Sequence, residues 1–198
     1  MTNRLLIIFV KNPELGKVKT RLAATMGEQR ALEIYRKLLE YTIAITGKLP
    51  LDKVVFYSEY IDTQDNWPDD IYLKQQQIAG DLGEKMNAAF KWAFQSGYQE
   101  VCIIGSDCLE LTPEIIMSAF EALSNDDAVL GPTKDGGYYL LGMNKLYPSL
   151  FTNKNWGTHT VATDTQADLN ELNLLYSLLE PLADIDREQD LKGHDLGV

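Results

Sequence analysis

With 198 residues, 45% of them hydrophobic, the chain suits a single domain that can bury a sizeable core. A formal charge of −11 excludes a general nucleic-acid binder, whose affinity would rest on many Lys and Arg contacts to phosphates, so an anionic ligand has to meet a local basic patch. Two cysteines make neither a disulfide framework nor a four-ligand zinc site, and no apolar run reaches the roughly eighteen residues of a membrane span. Lys11-Asn12-Pro13 follows the apolar start where a secretory signal would need small residues and a cleavage site, so we expect a soluble cytoplasmic protein with reduced thiols.

In chain order, Leu5 to Val10 reads as a buried strand. Glu28 to Thr46 is a helix, with Leu32, Tyr35, Leu38, Leu39, Thr42, Ile43 and Ile45 at helical spacing and Gly47 and Pro50 ending it. Lys53 to Ser58 and Ile71 to Gln75 are further strands, and Trp67-Pro68-Asp69-Asp70 between them is a loop. Leu82 to Gln95 carries Met86, Ala89, Phe90 and Ala93 on one helical face, with Gly97 as its stop. Val101 to Ile104 is a strand, and Thr112 to Leu123 a helix with Pro113 in its first turn. Ala128 to Leu130, Tyr138 to Gly142 and Leu174 to Leu179 complete the strands, while Asn144 to Asn170 shows no readable period. The alternation predicts a mostly parallel sheet covered by helices on both faces, and nothing marks a linker or a second domain.

Five clusters carry the candidate chemistry. The strand Val101 to Ile104 stops at Gly105-Ser106-Asp107-Cys108, which puts a carboxylate where open α/β sheets bind ligands; a metal ligand and a turn or helix-cap aspartate are the alternatives. Lys11 to Arg21 holds four cations, Lys11, Lys17, Lys19 and Arg21, against one acid, Glu14, directly after the first strand. A strand-to-helix turn with such charge suits a nucleotide phosphate, although Gly16 alone makes neither a Walker A loop nor a G-x-G-x-x-G motif. Gly80-Asp81-Leu82-Gly83 opens a helix and could bring backbone close to a bound group, or Asp81 could serve as a plain cap. Asp135-Gly136-Gly137 lies between two strands, as a turn or a substrate-facing loop.

In Ala183-Asp184-Ile185-Asp186 an extended backbone would send both carboxylates to one face and Ile185 into the core. Asp186 could cap a short helix with Gln189 as partner; Asp184 has no such role. Neither His159 nor His194 sits in a recognisable triad, and Trp156 either lines an acceptor pocket or packs.

Taken together, these stretches resemble the GT-A-fold nucleotide-diphospho-sugar transferase superfamily, and within it the small bacterial family labelled DUF2064, whose members are assigned as glycosyltransferases. The guanylyltransferases of coenzyme F420 and molybdenum-cofactor synthesis are similar too. Leu5 to Lys11, Lys19 to Leu22, Gly80 to Gly83, Gly105 to Cys108, Asp135 to Gly142, Trp156 to Thr158 and Asp184 to Asp186 carry the likeness across nearly the whole chain. Leu109, Lys85 and Arg187-Glu188 depart from the usual Pro, Arg and Thr-Pro, and none of these removes a carboxylate.

The resemblance implies a three-layer α/β/α sandwich with a mostly parallel, mixed central sheet, Rossmann-like in type, that holds a nucleotide over the first loop and a divalent metal near the Ser-Asp motif. We therefore expect a metal-dependent transferase using a nucleotide sugar or a nucleoside triphosphate, with glycosyl transfer favoured. Nucleotidyl transfer and a non-catalytic nucleotide-binding subunit are the alternatives. Asp107, Lys19 and Arg21 are the expected catalytic residues, and Lys11, Gly16, Lys17, Thr20, Gly80, Asp81, Gly83 and Ser106 the nucleotide binders. Asp135, Gly136, Gly137 and Trp156 are expected to face the substrate, and Asp107, Asp184 and Asp186 to hold Mg²⁺ or Mn²⁺. The expected partners are the nucleotide donor and an acceptor that the sequence does not identify.

Overall fold

Runs that are apolar at every position become strands covered on both faces, and they assemble the centre of one sheet. A computed structural model describes residues 3–194 and 196. Its strands are β1 (Arg4–Val10), β2 (Asp52–Tyr57), β3 (Tyr72–Gln76), β4 (Glu100–Ile104), β5 (Ala128–Pro132), β6 (Tyr138–Met143) and β7 (Tyr176–Leu178). They are ordered β3-β2-β1-β4-β6-β5-β7, and β6 runs antiparallel to both of its neighbours. Leu5, Leu6, Ile7 and Ile8 of β1 are completely buried, as a strand flanked by helices on both sides must be.

The helices are α1 (Thr20–Met26), α2 (Glu28–Thr46), α3 (Leu82–Gln95), α4 (Pro113–Ala122) and α5 (Val161–Glu171). One face of the sheet, with Leu6, Ile8 and Val55, packs on Ile45 of α2 and on Ile116, Ala119 and Phe120 of α4. The opposite face, with Leu5, Ile7, Val54 and Ile103, packs on Met86, Ala89 and Phe90 of α3 and on Ala162 and Leu169 of α5. This is the expected three-layer α/β/α arrangement with a mostly parallel, mixed sheet.

Two helices lie where the sequence showed no period. In α1 only Leu22 is buried, so no stripe exists to read. In α5 the β-branched Val161, Thr163 and Thr165 dilute helix propensity, and no side chain caps its start. The final strand is shorter than expected, three residues from Tyr176 to Leu178. Among the described residues no helix is long and apolar enough to cross a membrane.

The chain runs outward from β1 through β2 to β3, then returns to lay β4 on the other side of β1. The carboxyl ends of β1 and β4 therefore form the switch point at which open α/β sheets bind ligands.

Candidate active site

At that switch point a cleft of about 620 Å³ opens between the loops after β1 and β4. Lys11, Lys19, Thr20 and Arg21 line it from the first loop, Gly105, Ser106 and Asp107 from the second, Leu82 and Lys85 from α3, and Asp186 from the carboxyl-terminal segment. The lining thus holds four cations, Lys11, Lys19, Arg21 and Lys85, and two carboxylates, Asp107 and Asp186. In a chain of charge −11 such a local surplus favours an anion.

Lys19 organises this region. Its backbone is left-handed, with φ +48°, a strained conformation for a residue with a Cβ. Its side chain is only 6% exposed, and Nζ lies 2.9 Å from Asp107 Oδ2 while donating to the Ile185 carbonyl at 2.6 Å. Ile185 N in turn donates to the Asp107 carbonyl at 2.9 Å, so one lysine joins the β1 loop, the β4 loop and the carboxyl-terminal segment. Arg21 pairs with Asp186 at 2.8 Å. Tyr35, read from sequence only as core, closes the floor: its hydroxyl accepts from Lys11 N at 2.8 Å and donates to the Lys11 carbonyl at 3.1 Å. Burial, and secondarily the charge of Asp107, holds that phenol far above its ordinary pKa.

A smaller cavity of about 90 Å³ adjoins the cleft and shares Gly105 and Asp107 with it; Cys108, Thr133, Tyr138, Tyr139 and Asp184 complete its wall. Asp184 is half-buried there. Its carboxyl is raised from an ordinary 3.8 to about 6, first by desolvation and then by the charges of Asp135 and Asp107. Asp184, desolvated and facing the charge of Asp107 in one cavity, forms with it a donor pair suited to a hard divalent cation. Asp107 and Asp184 therefore fit a metal, and Asp186, drawn to Arg21 in the larger cleft, does not complete the set. Among the described residues no three His, Cys, Asp or Glu side chains cluster closely enough to hold a metal by themselves.

Two capping alternatives are settled. Thr112, not Asp107, caps α4, its side chain accepting from Ile115 N. The expected capping role of Asp186 is corrected: Asp190 takes it, accepting from Asp186 N at 3.1 Å and from Arg187 N at 2.6 Å ahead of the 3₁₀ turn Glu188–Leu191. Gln189 takes no part in that cap.

Several expected binders have other work. Asp81 caps α3 through a reciprocal pair, Glu84 N to Asp81 Oδ1 at 2.8 Å and Asp81 N to Glu84 Oε2 at 2.9 Å. Gly83 is where α3 lies against the Phe151 carbonyl and the Trp156 ring; a Cβ there would collide with both. Gly80, Asp81 and Gly83 do not line the cleft, and Trp156 packs. Lys17 pairs with Glu14 at 2.6 Å in solvent, and Gly16 takes φ +74° in the turn beside it.

The Asp135-Gly136-Gly137 stretch is a tight hairpin turn, because β5 runs on to Pro132, further than the sequence suggested, while β6 begins at Tyr138 as expected. Asp135 Oδ1 accepts from Thr133 Oγ1 and Gly137 N, and Gly136, at φ +96°, lets the turn touch His159. The turn borders the small cavity through Thr133.

Ser58 and Gln77 also line the cleft and were not singled out from sequence, and Lys85, noted there only as a departure from the usual Arg, lines it too. Gln77 Nε2 donates to the Phe56 carbonyl at 2.9 Å and the Val10 carbonyl at 3.4 Å, so its amide oxygen is the atom left for a ligand. The direction in which Lys85 points depends on how α3 docks, which its local sequence does not carry. Cys102 and Cys108 are both buried and unbridged.

The model of a family described as "Uncharacterized protein conserved in bacteria (DUF2064)" matches residues 42–158. The chain belongs to this family. A solved structure from Desulfovibrio desulfuricans G20, described as a "putative nucleotide-diphospho-sugar transferase", is 32% identical to it, with a TM-score of 0.89, over 96% of this chain and 85% of that one. More distant structures share the fold. The inositol-1-phosphate CTP transferase of T. maritima is 13% identical with a TM-score of 0.58, covering 98% of this chain and 94% of that one. The 4-diphosphocytidyl-2C-methyl-D-erythritol synthase of Anaerococcus prevotii DSM 20548 is 11% identical with a TM-score of 0.57, covering 95% of this DUF2064 member and 94% of that chain. No protein of curated function matches the sequence.

Proposed function

We propose that this DUF2064 member is a metal-dependent transferase that draws on a nucleotide-linked donor, and that its reaction is glycosyl transfer from a nucleotide sugar. The observation that carries the reading is the cleft at the β1/β4 switch point, whose four cations outnumber its two carboxylates. Kinship with the 32%-identical relative supports an enzyme of the transferase kind.

Phe9 and Leu82 offer apolar surface to a nucleobase, and the free amide oxygen of Gln77 accepts from its N–H edge. Lys11 and Lys85, which enter no ion pair among the described residues, are the charges available to the donor's phosphates. Lys19 and Arg21 hold Asp107 and Asp186 and add their charge at the same place. As the bond from the anomeric carbon to the diphosphate breaks, these cations meet the negative charge that grows on the leaving nucleoside diphosphate. Mg²⁺ or Mn²⁺ held by Asp107 and Asp184 would supply Lewis-acid charge to those phosphates.

The same cations suit a triphosphate, which makes nucleotidyl transfer the second reading. Incubation with labelled nucleotide sugars and with nucleoside triphosphates separates the two. Release of nucleoside diphosphate supports glycosyl transfer, release of pyrophosphate supports the alternative, and no nucleotide binding with either metal across the common bases contradicts both.

A further inference from the structure

Asp184 lies between two tethers. In the extended segment 182–186 the amides of residues two apart face the same neighbour, and here both reach the loop after β4. Ile185 N donates to the Asp107 carbonyl at 2.9 Å, while Ala183 N, on the other side, finds a side chain: Glu110 Oε2, at 2.8 Å. Glu110 also receives Lys134 Nζ, at 3.1 Å on one oxygen and 3.3 Å on the other, from the β5–β6 turn. The backbone of that turn is sewn to the same segment, with Lys134 N on the Leu182 carbonyl at 2.9 Å and Leu182 N on the Pro132 carbonyl at 3.2 Å. The Glu110 carboxylate is held below its ordinary pKa chiefly by the Ala183 amide and then by Lys134, so it stays an ionised acceptor near neutral pH.

We propose that Glu110 is a positioning residue that sets the Asp184 carboxylate opposite Asp107. Its side chain lines neither cavity, and it acts through the Ala183 amide. The inference rests on the reading of Asp107 and Asp184 as the metal pair for its functional consequence, while the placement of Asp184 is a property of the metal-free protein.

The test uses the full chain and three substitutions. Glu110→Ala removes the acceptor; Glu110→Gln keeps an acceptor oxygen for Ala183 N–H but no charge; Lys134→Met removes the ion pair alone. Amide hydrogen exchange in the metal-free protein, referenced to core amides so that global stability is factored out, should show faster exchange at Ala183 and Ile185 in Glu110→Ala. Rates near wild type are expected in the other two variants. Mn²⁺ binding in the presence of nucleotide, without turnover, should weaken about tenfold in Glu110→Ala and recover in Glu110→Gln, as loss of a group that orients a ligand predicts. Unchanged exchange at Ile185 in Glu110→Ala overturns the proposal, as does Mn²⁺ affinity that falls equally in Glu110→Ala and Glu110→Gln. Wild-type protein that binds no Mn²⁺ contradicts the metal reading instead, and the exchange data still decide the role of Glu110.

Discussion

The loop after β1 and the loop before α3 look alike as sequence, each with glycine and charged residues where a helix begins, yet only the first faces the cleft with its charged groups. In the α3 loop, Asp81 and Glu84 satisfy each other's amides, and Gly83 is consumed by contact with Phe151 and Trp156. In the β1 loop, α1 starts from a left-handed Lys19 with no side-chain cap, and Lys19, Thr20 and Arg21 turn toward the switch point. A helix start that completes its own hydrogen bonds has little to offer a ligand. One that is held by a distant segment instead, here Ile185, leaves its side chains at the site.

The comparison can be broken first at Lys19. Lys19→Met strands the Ile185 carbonyl and leaves Asp107 without its cation, so we expect a stability loss of about 1–3 kcal/mol together with a fall in nucleotide affinity of about tenfold or more. Denaturant unfolding and calorimetry measure the two, and wild-type affinity in this variant would remove Lys19 from the site.

Asp184 sharpens the picture through pH. Its folded pKa, about 6, lies above its ordinary 3.8, so the native state binds the extra proton. Its contribution favours folding below the unfolded value and is lost as pH rises through about 6. Asp184→Asn should therefore be more stable than wild type above pH 7, by about 1–2 kcal/mol after allowance for solvent screening, and the gap should close near pH 4. Melting curves of both proteins across that range, without metal, test the sign. A gap that widens toward acid contradicts the assignment.

The smallest effect belongs to the self-capped loop. Asp81→Ala should cost about 1 kcal/mol in thermal or denaturant unfolding and leave nucleotide affinity unchanged, since Asp81 works for α3 alone.

How far each part was legible follows from where its partners lie in the chain. The strands, α2 and α3 carry their own period, and α3 appears over the range expected, Leu82–Gln95. Asp107 was legible because a buried strand ends just before it, a purely local signal. Tyr35 sits in the same apolar stripe as its core neighbours, and nothing local distinguishes the hydroxyl that grips Lys11. The cap before Glu188–Leu191 was misread because Asp186 and Asp190 are both acceptors at plausible spacing; Arg21, far away in sequence, decides between them. Glu110 could not be found from sequence, since its partners, Lys134 and Ala183, come from two remote segments.

The central claim is that Asp107 at the end of β4 holds a metal for a bound nucleotide, and calorimetric titration of nucleotide with and without Mn²⁺ into wild type, Asp107→Asn and Asp81→Asn tests it most directly. Both substitutions keep side-chain shape, Asp81→Asn also keeps the cap of α3, and Asp107→Asn keeps an oxygen beside Lys19 while giving up the ion pair, so binding is compared where melting curves show all three proteins folded. The account predicts that Mn²⁺ strengthens nucleotide binding in wild type and Asp81→Asn, and that this gain falls at least about tenfold in Asp107→Asn. Equal metal-dependent binding in Asp107→Asn and wild type would contradict it.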